Sequence, residues 1–228
     1  MTLQNMATSR KYQFAVIATD VVVFTMRDNK LQVLLMKMTK EPYANSWAAP
    51  GGLVGASESP ETAARRLLKE KTCLANVYLE QLATFGEVDR DPFGRVVSVA
   101  YLGLLPTGAA GAATVDSRSD AAWYPTSKLP KLAYDHSTMI SVAVERLQNK
   151  LGYTTVAGQL LPKEFTLSEL QQVYEIVLGR AIDKRNFRKK LLALELVQPT
   201  GRRQDGGAHR PAALYRFADA KPQVVNIL

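Results

Sequence analysis

Phe165-Thr166-Leu167-Ser168-Glu169-Leu170 opens the stretch that decides the fold, and Asp183-Lys184-Arg185-Asn186-Phe187-Arg188-Lys189-Lys190 closes it. Thr166 is placed to cap a helix, and Glu169 three residues on completes a capping box. Phe165 and Leu170 hold the positions of a hydrophobic staple. Leu167, Leu170, Val173, Tyr174 and Val177 recur at helical spacing, and Gly179 is a natural stop. After a short connection, Gly179 to Ile182, Asp183 can cap a second helix. Two helices joined by a tight glycine-containing turn make a helix-turn-helix pattern.

The second helix predicts two faces. Phe187, Leu191 and Leu194 fall on one side; Arg185, Arg188 and Lys189 fall opposite, with Lys184 and Asn186 flanking. A cationic face suits a helix laid in the major groove, where phosphates attract cations and Arg or Asn forks read base edges. Taken alone, the helix equally suits a solvated basic surface. The next segment favours DNA. Gln198-Pro199 ends the helical region; Arg202, Arg203, Gly206, Gly207, His209 and Arg210 then precede the strand Ala213-Leu214-Tyr215-Arg216-Phe217. That order predicts a wing whose cationic tip reaches phosphates or the minor groove. Over residues 180–210, nine cations (Arg180, Lys184, Arg185, Arg188, Lys189, Lys190, Arg202, Arg203, Arg210) face three acids (Asp183, Glu195, Asp205). Most of the net charge of +8 is assigned to this stretch. The candidate DNA contacts are Lys184, Arg185, Asn186, Arg188, Lys189, Lys190, Arg202, Arg203, His209 and Arg210.

Upstream the character differs. Phe14–Ile17 and Val21–Phe24 are β-rich, Asp28-Asn29 signals a turn, and Leu31–Met36 is a returning strand. Residues 60–72 predict a helix, Tyr78–Phe85, Arg95–Leu105 and Ala121–Tyr124 predict strands, and 136–150 a second helix. The mixture predicts an α+β sandwich over residues 12–150, after a flexible start at 1–11. Residues 151–163, with Gly152, Gly158 and Pro162, read as a linker to a DNA-binding domain over 164–228. No apolar run reaches the roughly 18 residues of a membrane helix, and the polar start lacks a signal-peptide core. One cysteine, Cys73, allows no internal disulfide, so a reducing cytoplasm is the expected location. Two histidines and one cysteine supply no soft-ligand metal cluster, and no cofactor is implied.

Gly52, Glu58 and Arg66, with Leu68, Glu70 and Leu74, stand at the spacings of the Nudix signature: Gly, five residues, Glu, seven residues, Arg-Glu, aliphatic, any, Glu-Glu, any, Gly, aliphatic. Trp47, Pro50, Gly51 and Gly52 look like the usual approach to it. The region therefore resembles a Nudix domain, which implies an α/β/α sandwich. Three positions depart: Leu67 and Lys71 replace glutamates, and Cys73 replaces glycine. In Nudix enzymes these glutamates hold divalent metal and help activate water. Leucine offers no ligand, and lysine sets a positive charge where the cation would sit. No catalytic residue and no metal ligand is assigned on this reading. Glu70 is expected to pair with Arg66 one turn away, and Cys73 is read as a small packing residue.

Asp89-Arg90-Asp91-Pro92-Phe93-Gly94-Arg95 resembles a segment of ADP-ribose-directed Nudix domains and their regulatory relatives, and is also a plain turn signal. Arg90 or Arg95 would meet a diphosphate or ribose, with Lys71 in support. The candidate effector contacts are Arg66, Glu70, Lys71, Asp89, Arg90 and Arg95. Leu132–His136 resembles the same relatives, with His136 favoured as a structural residue. A Nudix-like domain followed by a winged helix resembles the Nudix-related, NrtR-like transcriptional regulators, known as repressors of NAD metabolism. The resemblance implies a homodimer on a palindromic double-stranded operator, released by ADP-ribose or a related nucleotide. Two alternatives stay open: a sugar-responsive regulator of the same family, and an active ADP-ribose pyrophosphatase with an appended DNA-binding domain.

Overall fold

Two apolar runs separated by Asp28-Asn29 found the central sheet. Strands β1 (Val16–Arg27) and β2 (Lys30–Lys37) pair antiparallel, with Arg27 opposite Lys30. Asp28 and Asn29 both take positive φ, 51° and 55°. A two-residue turn of that hand matches the twist of the strands it joins. The computed structural model describes residues 14–109, 120–204, 211–225 and 227. Outside them lie the expected flexible start, residues 110–119, and the expected wing tip with Gly206, Gly207 and the candidate contacts His209 and Arg210.

The sheet has seven strands and is mixed. β3 (Trp47–Ala48) pairs with β2, and β4 (Gly51–Leu53) with β1. β5 (Tyr78–Phe85) lies beside β6 (Val96–Leu104), which pairs parallel with β1 from Val16 to Phe24. β7 (Ala121–Pro125) joins β2 on its other side. Alternation along β1 divides the core. Val21 and Val23 meet Ala64 and Leu68 of α1 (Pro60–Thr72) on one face. Val22, Phe24 and Met26 meet Met139, Ile140 and Leu147 of α2 (His136–Tyr153) on the other. This is the expected α/β/α sandwich.

Residues 151–163 show no sequence period because they are not one element. They comprise the end of α2, a 3-10 turn at Val156–Leu160 and a short extended piece. Leu151, Val156, Ala157, Leu160 and Leu161 are all buried in the same core. The segment joins the two modules by packing rather than separating them.

In α3 (Leu167–Leu178) both capping-box hydrogen bonds form, and Gly179 takes the left-handed conformation that ends the helix. Asp183 caps α4 (Lys184–Ala193) through the Asn186 N–H. Tyr174 meets Phe187 edge-on at 5.0 Å, which fixes α4 on α3. β8 (Val197–Arg203) and β9 (Ala213–Phe217) form the wing, tied to the start of α3 by backbone hydrogen bonds between Phe165 and Tyr215. Leu194 corrects the sequence reading. The helix ends at Ala193, Glu195 turns the chain at positive φ, and Leu194 is exposed. The apolar stripe is Phe187 and Leu191, continued by Leu196 and Val197.

Candidate functional site

A cleft of about 220 Å³ opens beside the first half of β1. Asp20, on β1, faces Gly51 of β4 in the antiparallel register. A β-carbon at Gly51 would stand 2.0 Å from Asp20 Oδ1 and 2.5 Å from the Thr19 carbonyl, so only glycine lets the strands close there. Ser98 Oγ donates to Asp20 Oδ2 at 2.6 Å. Arg90 Nη2 is 3.8 Å from Asp20, and the same guanidinium forks onto Asp135 at 2.7 and 2.9 Å. The Arg90 side chain is only 3% exposed, so the arginine is held by paired carboxylates in a nearly dry setting.

His136 starts α2 at the back of this cleft. The Ala49 N–H donates to its Nδ1 at 2.9 Å, which places the neutral ring's proton on Nε2, 3.7 Å from Asp20. Burial pushes the His136 pKa down, against opposing pulls from Asp20 and Asp135. The unfolded chain then binds this proton more readily than the folded one. Stability is therefore expected to fall as pH drops through about 6.5, the unfolded value. Thermal midpoints measured from pH 7 to pH 5 should show a shallower fall in His136→Gln than in the wild type; equal slopes would refute the assignment.

Lys71 is exposed as a residue, yet its ammonium turns into the cleft and donates to the Gly51 carbonyl. Desolvation there lowers its pKa, while Asp20 and Glu70 work to keep it charged. Leu67, at the other departed position, is 8% exposed and lies under Gly52 as an apolar contact. Glu58 accepts from Arg66 Nη2 at 2.5 Å and Nε at 3.0 Å, and from the Gly55 N–H. Hydrogen bonds from Arg66 and then Gly55 hold its carboxyl below the usual range. Glu70 accepts from the same guanidinium at 3.2 Å. Among the described residues, no cluster of three or more His, Cys, Asp or Glu is arranged to hold a metal.

The second candidate surface is α4. Lys184, Arg185, Asn186 and Lys189 are exposed, and Lys184 to Asn186 line a shallow groove with Asp183 and Arg188. Arg188 is half-buried: Nη2 donates to Ser168 Oγ at 2.8 Å, and Nε is buried with no hydrogen-bond partner among the described residues. On the wing, Arg202 pairs with Glu164 at 3.0 Å, and Arg203 donates to the Pro211 carbonyl.

The molecule thus joins a Nudix-type sandwich to a winged helix. The model of the NrtR DNA-binding winged helix domain matches residues 157–217, and that of the NUDIX domain matches residues 17–142. The ADPR responsive transcriptional repressor NtrR of Acinetobacter baylyi is 36% identical over 211 residues, 91% of this chain and 84% of that protein. This chain belongs to the NrtR family. Shewanella oneidensis NrtR, solved with a 27mer DNA, superposes with a TM-score of 0.79 at 37% identity, over 88% of this chain and 93% of that one. The NUDIX domain of the same NrtR, solved with ADP ribose, gives a TM-score of 0.52 at 36% identity, over 60% of this chain and 90% of that one. An ADP-ribose pyrophosphatase of Methanocaldococcus jannaschii is 34% identical over 136 residues, 58% of this chain and 74% of that enzyme.

Within this NrtR-family fold, Lys71 and Arg90, two of the six candidate effector contacts, both line the cleft. Arg66, Glu70, Asp89 and Arg95 do not line it. Arg66 and Glu70 engage each other on α1. The Asp89–Gly94 turn sends Arg90 inward and leaves Asp89 and Arg95 in solvent, where Arg95 donates to the Glu87 carbonyl. Asp20, Asp135 and Tyr134 were missed. Asp20 falls between the two β-rich runs Phe14–Ile17 and Val21–Phe24, where no local pattern marks it, and Asp135 is recognisable only once Arg90 is seen against it. Tyr134, at positive φ, lines the cleft with its ring 4.4 Å from that of Tyr43. Cys73 corrects a further reading. It is exposed at φ 60° as the cap of α1, the left-handed position that the signature glycine would fill, and is not a packing residue.

Proposed function

We propose that this chain is a transcriptional repressor of NAD-metabolism genes that grips duplex DNA through α4 and the wing and lets go when ADP-ribose fills the cleft. Residues 12–150 hold the effector and residues 164–228 read the DNA. The assembly is a cytoplasmic homodimer on a palindromic operator, with no membrane partner. Similarity to the ADPR-responsive repressor and to DNA-bound NrtR supports this reading.

The observation that carries the sensor half is Lys71. Its ammonium rests on the Gly51 carbonyl, in the cleft beside Asp20 and Arg90. The residues present do not fit a divalent ion: Leu67 has no oxygen, Glu58 and Glu70 are both engaged by Arg66, and Lys71 opposes a second positive charge. Lys71 and Arg90 instead meet a diphosphate directly, so the cleft binds nucleotide without metal and without hydrolysis. Calorimetry should give the same ADP-ribose affinity in EDTA and in Mg²⁺, with no AMP formed. Lys71→Met should weaken binding about tenfold, the scale of one charge-assisted hydrogen bond. Binding that strictly requires Mg²⁺ would overturn the reading. The likeness to an ADP-ribose pyrophosphatase favours a second reading, an active hydrolase joined to a reading head, which AMP release in Mg²⁺ or Mn²⁺ would establish.

A further inference from the structure

The β1–β2 turn reaches across to the winged-helix module. Gln172 Nε2, on α3, donates to Asn29 Oδ1 at 2.9 Å. At this seam lies a cavity of about 510 Å³, bounded by Met26 on the sheet side and by Leu161, Val173 and Ile176 on the other. Elsewhere the modules are tightly joined. Leu167 and Leu170 share one core with α2, and Gln148 Nε2 donates to the Val177 carbonyl at 2.8 Å. α3 is therefore packed against α2 along its buried face, and over the hairpin it is bordered by the open cavity. The cavity is open to solvent, so α3 can shift toward it without displacing packed side chains.

β1 connects this seam to the cleft. Ala18 and Asp20 line the cleft, and Met26 and Arg27 line the seam cavity. Between them the strand is almost wholly buried and paired without a break, with β6 as far as Phe24 and with β2 from Phe24 onward, so a shift at one end is passed to the other. The turn is also braced, with Gln32 Nε2 donating to the Arg27 carbonyl and to Asp28 Oδ2. On the far side α3 carries α4, through Tyr174 against Phe187 and through the Ser168–Arg188 hydrogen bond.

We propose that Asn29 and Gln172 are positioning residues that couple the cleft to the reading head: occupancy beside Asp20 shifts β1, the turn draws α3 through the Asn29–Gln172 bond, and the seam cavity gives α3 room to carry α4. The relay rests on the ADP-ribose-responsive reading above. A ligand acts at a distance only if it binds two arrangements unequally, and the same factor must appear in both directions.

The test uses the full chain and a duplex selected from a random pool by the wild-type protein. Duplex affinity is measured with and without saturating ADP-ribose, and the ratio is the coupling. Gln172→Ala removes the donor. Asn29→Gly removes the acceptor at a positive φ that glycine accepts freely. Ile176→Trp fills the open cavity. Each is expected to lower the ratio about threefold or more, as loss of one hydrogen bond allows. Asn29→Asp keeps an acceptor oxygen and should retain the wild-type ratio. Nucleotide-free duplex affinity and DNA-free ADP-ribose affinity should stay near wild type in all four. Wild-type ratios in Gln172→Ala and Asn29→Gly would overturn the relay. Loss of nucleotide-free duplex binding in them would also overturn it, since the contact would then be merely structural. A wild-type protein indifferent to ADP-ribose would instead remove the reading on which the relay rests, and the relay with it.

Discussion

Replacing Lys184 and Arg185 together by alanine is expected to weaken specific duplex binding by on the order of 100-fold at physiological salt. Both residues sit in the first turn of α4, exposed and lining a groove with Asn186. The start of a recognition helix is the part that enters the major groove. One side chain that reads a base and one that neutralises a phosphate account for a loss of this size. The slope of log affinity against log salt should also flatten by about 0.9 for each phosphate contact removed. The fold should survive, because the Asp183 cap and the buried Phe187 and Leu191 stay in place. ADP-ribose affinity measured without DNA should not move. Arg188 is the weaker target, since part of its guanidinium is spent on Ser168 inside the module. Fluorescence anisotropy over a salt series decides the matter. Affinity within threefold of wild type and an unchanged slope would remove α4 as the reading element.

Arg90→Met should cost about 3–5 kcal/mol of stability and abolish ADP-ribose binding. The native arginine is buried between Asp135, which it grips through two hydrogen bonds, and Asp20. Methionine fills much of the space but leaves both carboxylates in a low-dielectric cleft with no cation between them. Asp135 would also lose the contact that fixes it at the start of α2, where the next residue, His136, holds the Ala49 N–H. Arg90→Lys should recover part of the stability, because the charge returns, but not the two-pronged geometry. Urea unfolding gives the first quantity and calorimetry the second. A variant as stable as wild type would mean that the Arg90 cluster contributes nothing net to the fold.

What the sequence disclosed and what it hid follow one physical rule. The α3 capping box, the Asp183 cap, the Asp28-Asn29 turn and the apolar periods of α1 and α2 each depend on residues within a turn or two of one another. They were therefore visible as spacing. The cleft was only half visible. Lys71 and Arg90 stood out as cations in recognisable segments, but Asp20, Arg90 and Asp135 are brought together by sheet pairing and helix docking that no local pattern encodes. Arg95 and Asp89 misled because one turn sends neighbouring side chains in opposite directions. The 151–163 segment looked like a linker because its buried residues belong to three short pieces, each too brief for a period. Leu194 and Cys73 were misread because each lies at a helix end, where one residue at positive φ changes which side chains face inward.

The proposed conversion of nucleotide occupancy into a weaker grip on DNA takes place without chemistry. Its most direct measurement is the anisotropy of a labelled, selected duplex bound by the full chain and titrated with ADP-ribose. The titration is run in EDTA and again in Mg²⁺, and the nucleotide is recovered afterwards by chromatography. Release of the duplex at the same ADP-ribose concentration in both buffers, with the nucleotide recovered intact, is the expected result. A duplex that stays bound at saturating ADP-ribose, or AMP and ribose phosphate in the recovered pool, would contradict it.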